Sequence, residues 1–251
     1  MAHVTKSPIF DKALEERTAA DYLAFVADDI KMTVVATVDD EGRPVTAAVD
    51  MMDADEQGIL FLTARGKSLY RRLRARGYLS LTGLVGPSTM ESVAVSLAGE
   101  VREEGPELLP RLFAKNPFMY DIYPSEESRR ALTTFRVWRG SGEWFDLSCH
   151  PIERAPFAWG QGAAPGAEMA ARHEPYVIGD ACIGCGTCVV ACPQACIERV
   201  DADPGVSAAG ERGAAGGHPS GRPPYRIVQR SCLHCGRCYD VCPVHAVICR
   251  L

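Results

Sequence analysis

The first 148 residues of this 251-residue chain contain no cysteine, and lysine is scarce throughout, with five lysines against 22 arginines. The missing cysteines exclude a disulfide scaffold that spreads its bridges over the whole fold. No stretch approaches the ~18 unbroken apolar residues of a membrane span, and the net charge of −5 lacks the basic excess typical of nucleic-acid binders. Because the first residues also show no apolar core flanked by basic residues, we expect a cytoplasmic protein that binds neither nucleic acid nor a membrane.

The cysteines that are present form one dense block. Ten of the eleven lie between Cys182 and Cys249, and the other is Cys149. Such a block, in a chain that shows no export signal, favours a metal site in a reducing compartment over a set of disulfides.

The block contains an internal repeat, in which each copy has the spacing C-x2-C-x2-C-x3-C-P. The first copy consists of Cys182, Cys185, Cys188, Cys192 and Pro193, and the second consists of Cys232, Cys235, Cys238, Cys242 and Pro243. Three cysteines at intervals of three can wrap one compact cluster, whereas the fourth starts a helix that points away. The fourth cysteine of each copy is therefore predicted to bind the cluster held by the other copy's triplet.

This spacing predicts two 4Fe–4S clusters. Cluster I is expected to have the ligands Cys182, Cys185, Cys188 and Cys242, and cluster II the ligands Cys232, Cys235, Cys238 and Cys192. Zinc is the alternative metal, but it needs neither the third cysteine at this spacing nor the proline. The remaining cysteines are expected to be small buried apolar residues; they are Cys149, Cys196 and Cys249.

Residues 176–251 resemble a bacterial two-cluster ferredoxin, because the complete motif is present in both halves. The resemblance implies an α+β ferredoxin-like domain that exchanges single electrons with other proteins. The segment 201–224 is rich in glycine, proline and alanine, and it is expected to be a mobile insertion between the copies. Arg230, His234 and Arg237 surround the second triplet in sequence, so we expect cluster II to have the higher reduction potential.

The residues before the cysteine block predict short strands and a few helices. Apolar and β-branched segments predict strands at 32–40, 44–52, 58–64, 78–86, 91–104, 134–140 and 142–148, the last two joined by a Gly-Ser-Gly turn. Helices are expected at 19–29, 67–77 and 106–116, the first starting at a capping box of Thr18 and Asp21. Short strands at this spacing predict a small barrel or sandwich.

One segment of this region suits a phosphate. In FLTARGKSLYRRL, a strand ends at Thr63, a loop carries Arg65 and Gly66, and a helix begins with Lys67 and Ser68. A lysine, a serine hydroxyl and free backbone N–H groups at a helix start can together bind a phosphate. A solvated helix start without a ligand is the alternative interpretation.

Residues 30–148 resemble the FMN-binding split barrels of the pyridoxamine 5'-phosphate oxidase-like superfamily. The resemblance is carried, in the family's order, by ATVDDEGRPVTAAVD, ILFLTARGKSLYRRL, YLSLTGL, ESVAVSLAGEV, LFAKNPFMYDIYP and GEWFDLS. It implies a mainly β split barrel with short helices that forms a homodimer, with an FMN at the interface.

The same resemblance implies roles for individual residues. Lys67 and Ser68 would hold the FMN phosphate, and Thr63 would meet the ribityl chain or the ring. Thr46, on the strand before, would lie along the isoalloxazine, and Trp144 would serve the flavin site of the partner subunit.

The chain departs from the oxidase itself at one strand. Ala47 and Ala48 stand where the oxidase has an arginine, and a basic cluster for pyridoxal phosphate is not evident. We therefore do not expect vitamin B6 oxidation.

The sequence thus predicts a barrel at 1–148, a connector at 149–175 and a ferredoxin domain at 176–251. Iron–sulfur clusters carry single electrons, whereas a flavin accepts one or two. The fusion is expected to be an FMN-dependent oxidoreductase that reduces a small organic substrate with electrons from an external donor such as a ferredoxin. Two alternatives stay open: a non-catalytic electron-transfer protein that serves a separate redox enzyme, and a barrel that binds deazaflavin or haem.

Overall fold

The computed structural model describes residues 7–161, 175–200 and 223–250. Almost all of the predicted insertion, and the connector from 162 to 174, lie outside the described residues. The chain divides into two compact units: Met1–Leu147 with Ala155–Ala171, and Ser148–Arg154 with Arg172–Leu251. We call them the barrel unit and the ferredoxin unit.

Six antiparallel strands close the barrel. They are β1 (Met32–Val38), β2 (Pro44–Asp55), β3 (Gly58–Ala64), β4 (Tyr78–Val85), β5 (Val93–Gly105) and β6 (Leu132–Asp146). The order is β3-β2-β1-β4-β5-β6, and β6 pairs again with β3 to complete the barrel. A seventh strand, β7 (Glu153–Trp159), extends the sheet beside β6. The predicted split-barrel fold is confirmed.

Short helices connect the strands. They are α1 (Ala19–Phe25), α2 (Ser68–Arg76), α3 (Leu109–Lys115), α4 (Met119–Ile122) and α5 (Glu126–Arg129). The predicted capping box starts α1, because Thr18 Oγ1 accepts from the Asp21 N–H and the Asp21 carboxylate accepts from the Thr18 N–H. A π-helical turn, Val26–Ile30, follows α1. Among the described residues, no helix is long and apolar enough to cross a membrane.

The barrel core comes from alternate residues of the strands, because successive side chains of a strand point to opposite faces. On β1, Val35 is fully buried, whereas its neighbour Val34 is half exposed on the outer face. Helix α1 adds Tyr22 and Phe25 to the same core, where both rings pack on Trp144. The helix therefore fills space inside the barrel that the strands alone leave open.

Strand β6 runs without a break through Gly140 and Gly142, where the sequence predicts a turn between two strands. Both glycines pair with β5. A Cβ on Gly140 would lie 2.3 Å from the carbonyl oxygen of Ala98, and one on Gly142 would lie 2.6 Å from the Phe157 ring. The predicted turn is wrong, because these glycines make room for close packing within the sheet.

Part of the predicted connector belongs to the barrel sheet, since β7 lies within residues 149–175. Phe157 and Trp159 are buried in the barrel core. The Trp159 indole N–H also donates to the carbonyl oxygen of Val137 at 3.1 Å. Two aromatic anchors thus hold a segment that its composition alone describes as a linker.

Ion pairs join α3 to the sheet. Asp53, on β2 and almost fully buried, accepts from Lys115 Nζ and from Arg111 Nε, each at 2.6 Å. Lys115 also contacts Asp28, and Arg111 also contacts Asp55. Burial raises the pKa of Asp53, but the hydrogen bonds and charges of Lys115 and Arg111 outweigh burial and hold this pKa below its ordinary value.

The ferredoxin unit contains four short strands and two short helices. They are β8 (Tyr176–Ile178), α6 (Thr187–Ala191), β9 (Ile197–Arg199), β10 (Tyr225–Ile227), α7 (Arg237–Asp240) and β11 (Val247–Cys249). Strand β8 pairs with β11, and β9 pairs with β10. Each two-stranded sheet therefore takes one strand from each copy of the repeat, so the two copies interlock.

We predict that Asp53→Asn destabilises the barrel unit at neutral pH by about 1–3 kcal/mol, the range for a charged hydrogen bond. Because the folded pKa of Asp53 lies below its unfolded value of 3.8, the stabilisation is present above that pH and is lost as the pH falls through the folded pKa. Urea unfolding, followed by tryptophan fluorescence, measures the free energy of unfolding. The difference in this free energy between the variant and wild type should become smaller in acid. The exposed control Asp40→Asn should change little, and a pH-independent difference for Asp53→Asn would contradict the account.

Candidate cofactor sites

The residues predicted to bind a phosphate lie on one strand–loop–helix connection. Strand β3 ends at Ala64, and α2 begins at Ser68 with Lys67 as its N-cap residue. Both Lys67 and Ser68 are exposed, and the N–H groups of the first helical turn have no partner within the helix. This arrangement places a cation, a hydroxyl and backbone donors at the positive end of a helix dipole, which suits an anion.

Lys67 differs from the neighbouring arginines, because its ammonium group has no partner in the described part of the chain. Each arginine from 65 to 76 contacts an acceptor. Arg65 and Arg76 donate to the carbonyl oxygens of Arg130 and Asp39, respectively. The side chains of Arg71, Arg72 and Arg74 contact those of Asp40, Thr37 and Glu103, respectively. Lys67 is thus the cation of this segment that stays available to an anionic ligand.

The sheet opens beside this connection. Pairing between β2 and β3 extends only to Met51 opposite Phe61, whereas β3 pairs with β6 from Ile59 to Ala64, with Thr63 opposite Thr133. Thr63 is buried, and its Oγ1 has no hydrogen-bond partner among the described residues. Because a buried hydroxyl without a partner costs free energy, this atom is available to a bound polar group.

The donors of this region fit FMN in charge and type. Lys67 and Ser68 offer what a phosphate dianion needs, and the unpaired Thr63 hydroxyl lies on the adjoining strand where the sheet opens. These three residues would hold the flavin.

The other two predicted flavin contacts lie elsewhere. Thr46 is exposed on the outer face of β2, opposite Ala36 of β1, whereas Thr63 points inward, so the two threonines do not share a face. Trp144 has 0% of its surface exposed and is enclosed by aromatic rings of its own barrel. The prediction that Trp144 serves a partner's flavin is wrong, because a fully enclosed ring cannot reach another subunit.

The eight motif cysteines line two small cavities. The first, the cluster I site, is lined by Cys182, Cys185, Cys188 and Cys242. The second, the cluster II site, is lined by Cys192, Cys232, Cys235 and Cys238. Each cavity receives three cysteines from one copy of the repeat and the fourth from the other. Four thiols around one cavity are the donor set of a 4Fe–4S cluster.

Glycines and tyrosines shape the cysteine loops. Gly186 and Gly236 both have φ of 75°, in the left-handed region that favours glycine. A Cβ on Gly236 would lie 2.9 Å from the Tyr176 hydroxyl oxygen, and one on Gly186 would lie 3.3 Å from that of Tyr225. Each tyrosine therefore covers the loop of the other copy. Sequence analysis gave these tyrosines no role, although a Pro-Tyr pair precedes both copies and marks them.

The two cluster sites differ in one thiol. Cys196 lines the cluster II site with its Sγ 3.5 Å from Cys192 Sγ, whereas Ala246 lines the cluster I site at the equivalent position. The hydrogen bond with Cys196 lowers the pKa of Cys232 to about 6 against the effect of burial. Burial, with the nearby Cys232 charge, raises the pKa of Cys238 to about 11. Identical spacing in sequence thus yields unequal thiol environments.

The three cysteines outside the motif are in different environments. Cys196 is buried, as predicted, Cys149 is half-buried and Cys249 is exposed. The prediction of a buried apolar residue is therefore wrong for Cys249, which ends the short strand β11.

Residues at and just before the start of β7 pack on the loops of the cluster II site. Arg154 Nη1 lies 2.8 Å from His234 Nδ1, and the Ile152 N–H donates to Gln194 Oε1 at 2.9 Å. All four residues belong to the ferredoxin unit. No sequence motif marks Arg154, which lies 80 residues before its contact His234.

Comparison with known families gives two matches in the chain. The sequence model of the pyridoxamine 5'-phosphate oxidase family matches residues 19–149, just over half of the chain. The model of the 4Fe-4S dicluster domain matches residues 181–246. No curated protein matches the chain.

Several solved structures are similar to part of this chain at low identity. A NimC/NimA family protein from Clostridium acetobutylicum is 11% identical, with a TM-score of 0.47 over 56% of this chain and 94% of its own. PhzG from Burkholderia lata is 15% identical, with a TM-score of 0.42 over 53% of this chain and 78% of its own. A pyridoxamine 5'-phosphate oxidase-related, FMN binding protein from Nostoc punctiforme is 11% identical, with a TM-score of 0.42 over 58% and 90%.

We predict that Lys67→Ala weakens FMN binding by about 10- to 100-fold, the effect of losing one charged hydrogen bond. Riboflavin, which lacks the phosphate, should bind the variant and the wild type equally. Titration of the flavin-free protein, followed by flavin fluorescence, measures both affinities. Arg76→Ala is the matched control on the same helix and should leave both unchanged; equal losses for FMN and riboflavin in Lys67→Ala would contradict a phosphate contact.

We predict that Cys242→Ala removes cluster I although Cys242 belongs to the second copy. The site is chosen because Ala246 stands at the position of the spare thiol Cys196, so no neighbouring cysteine can replace the lost ligand. The EPR spectrum of the reduced variant should match that of Cys185→Ala and differ from that of Cys235→Ala. A spectrum that matches Cys235→Ala instead would mean that each copy binds its own cluster.

Proposed function

Because the chain belongs to the pyridoxamine 5'-phosphate oxidase family and carries a 4Fe-4S dicluster domain, we propose that it is an FMN-dependent reductase of a small organic substrate. On this proposal it receives single electrons through two 4Fe–4S clusters from an external donor such as a ferredoxin. The observation that carries the proposal is the presence, in one chain, of two cavities that are each lined by four motif cysteines and of an exposed lysine at a helix start without a partner among the described residues.

The chemistry of the two cofactor types explains their fusion. When bound, the clusters supply single electrons and the flavin supplies the conversion to a two-electron reaction. Two electrons from the donor and two protons from solvent balance the reduction of one double bond or equivalent in the substrate. The chain's own part is to hold both cofactors and to keep the transfer between them within one molecule.

The residues assigned to FMN would contact its phosphate end and its ring end. Lys67 and Ser68 would fix the phosphate, and Thr63 would donate or accept at the ribityl chain or the ring. Thr46 stays a proposed contact with the isoalloxazine. Because it lies on the outer face of β2 whereas Thr63 points inward, the two threonines would contact different parts of the flavin. Trp144 is withdrawn from this set.

The outer face of the barrel supports the proposed homodimer. Met32 and Leu84 are 67% and 64% exposed, and Val34, Val38 and Tyr78 on the same strands are also exposed. Strands β1 and β4 are paired neighbours, so these side chains form one apolar surface. A contiguous exposed apolar surface of this kind marks an interface, and a second copy of the chain is the proposed partner.

The location and the domain boundaries are also proposals. All eleven cysteines are free thiols in the structure, which is compatible with a reducing compartment such as the cytoplasm. The proposed boundaries keep the barrel at 1–148 and the ferredoxin domain at 176–251. Strand β7, which lies within the proposed connector, belongs to the barrel sheet.

We predict that flavin reduction in the intact protein is unimolecular. A tether raises the effective concentration of two partners to the millimolar range, so transfer within one molecule should be faster than any encounter between molecules. In stopped-flow experiments with a limiting one-electron reductant, the rate constant for flavin bleaching should not change with protein concentration.

Two controls make this measurement specific. A Cys185→Ala/Cys235→Ala variant, which lacks a ligand at each cluster site, reports direct reduction of the flavin by the reductant. Mixing that variant with Lys67→Ala, which is expected to lack FMN, reports transfer between molecules and should be slow and concentration-dependent. A bleaching rate in the intact protein that rises in proportion to its concentration would contradict the internal path and favour a carrier that serves another enzyme.

A further inference from the structure

The two cluster sites come from a repeated sequence but are surrounded by different groups. Between the first two cysteines of each triplet, the cluster II site has His234 where the cluster I site has Gly184. After the fourth cysteine, Cys196 at the cluster II site stands where Ala246 lines the cluster I site. Both replacements add a polar or hydrogen-bonding side chain at one site only.

His234 occupies a position that suits glycine. Its φ is 55°, and its counterpart Gly184 has φ of 73°, both in the left-handed region. Glycine adopts this conformation freely, whereas another residue there carries strain. The second copy therefore carries a histidine side chain at a position that glycine fills in the first copy.

The His234 side chain contacts that of Arg154. Arg154 Nη1 lies 2.8 Å from His234 Nδ1. Because a guanidinium group can only donate hydrogen bonds, Nδ1 must accept, and His234 acts as an acceptor rather than as a positive charge. The histidine thus fixes the permanent charge of Arg154 beside the loop of Cys232. This changes the expectation from the sequence, in which His234 itself contributes to the positive surroundings.

Cys196 supplies a second group at the same site. Its side chain is buried, and its Sγ lies 3.5 Å from that of Cys192, which is assigned to cluster II. A thiol that is not a ligand can donate its S–H to a ligand sulfur. Such a bond strengthens as the sulfur gains negative charge, so it favours the reduced state of the cluster.

We propose that Arg154 and Cys196 are positioning residues that raise the reduction potential of cluster II above that of cluster I. Reduction adds one negative charge to a cluster, and a fixed cation or a hydrogen-bond donor nearby stabilises that charge. Gly184 and Ala246 offer neither at the cluster I site. A side-chain donor that is present there, the exposed Thr187 hydroxyl 3.4 Å from Cys185 Sγ, carries no charge. With both clusters bound, this difference in reduction potential would make cluster II the electron acceptor of the pair.

The proposal rests on the two clusters of the proposed function but not on the flavin. The full-length protein, purified anaerobically, is titrated with reductant and followed by EPR to give two midpoint potentials. Cys242→Ala, which is expected to keep cluster II alone, should retain the higher of the two. Lys67→Ala should show the same two midpoints as wild type, so a failure of the FMN assignment would leave this test intact.

Arg154→Gln should lower only the higher midpoint. At a fixed potential, the oxidised-to-reduced ratio of that cluster should rise by about threefold to tenfold, where tenfold corresponds to 59 mV for one electron. Arg154→Lys keeps the charge, so its higher midpoint potential should stay close to that of wild type. Arg226→Gln is the matched control, since Arg226 belongs to the same unit but pairs with exposed Glu198, and it should move neither midpoint.

Cys196→Ala tests the second group by giving the cluster II site the residue that the cluster I site already has. It should lower the same midpoint, with the iron content unchanged. If Arg154→Gln does not retain both clusters, Cys196→Ala decides the question. A titration in which Arg154→Gln or Cys196→Ala retains both clusters but leaves the higher midpoint unchanged, or in which only the lower midpoint moves, would overturn the proposal.

Discussion

A 4Fe–4S cluster needs four thiolates, and a cysteine triplet at intervals of three supplies only three. In this chain the fourth thiol at each cavity comes from the other copy of the repeat, Cys242 at one and Cys192 at the other. Neither copy can complete a site alone, and the exchange of strands between the copies follows the same requirement. The left-handed glycines and the tyrosines that cover them serve to bring the sulfurs of each loop to one point.

The barrel unit is closed by pairing between β3 and β6 but is open where β2 and β3 separate. The pairing of β3 with β6 closes the barrel, and α1 with its aromatic residues fills the interior. Where β2 and β3 separate, the structure leaves a buried hydroxyl on Thr63 without a partner and an ammonium group on Lys67 without a counterion in the described residues. Each arginine from 65 to 76 contacts an acceptor, so Lys67 is the cation of this segment that is proposed to bind a phosphate.

Local spacing explains what the sequence could predict. The cysteine sets, the capping box at Thr18 and the helix that ends at Gly77 depend on residues a few positions apart, and all are present. The errors arise from contacts between distant residues. The glycines of β6 predict a turn, because the ring that packs against Gly142 comes from β7 and is distant in sequence. The surface role predicted for Trp144 is wrong, because strand register decides which face of the sheet is enclosed.

The central claim is that one chain holds both kinds of electron carrier, and the composition of the anaerobically purified protein tests it most directly. The account predicts about eight irons, about eight sulfides and one FMN per chain. A stoichiometric amount of zinc with little sulfide would contradict the clusters. Full iron and sulfide with haem or with no flavin in the barrel would contradict the joining of the two carriers.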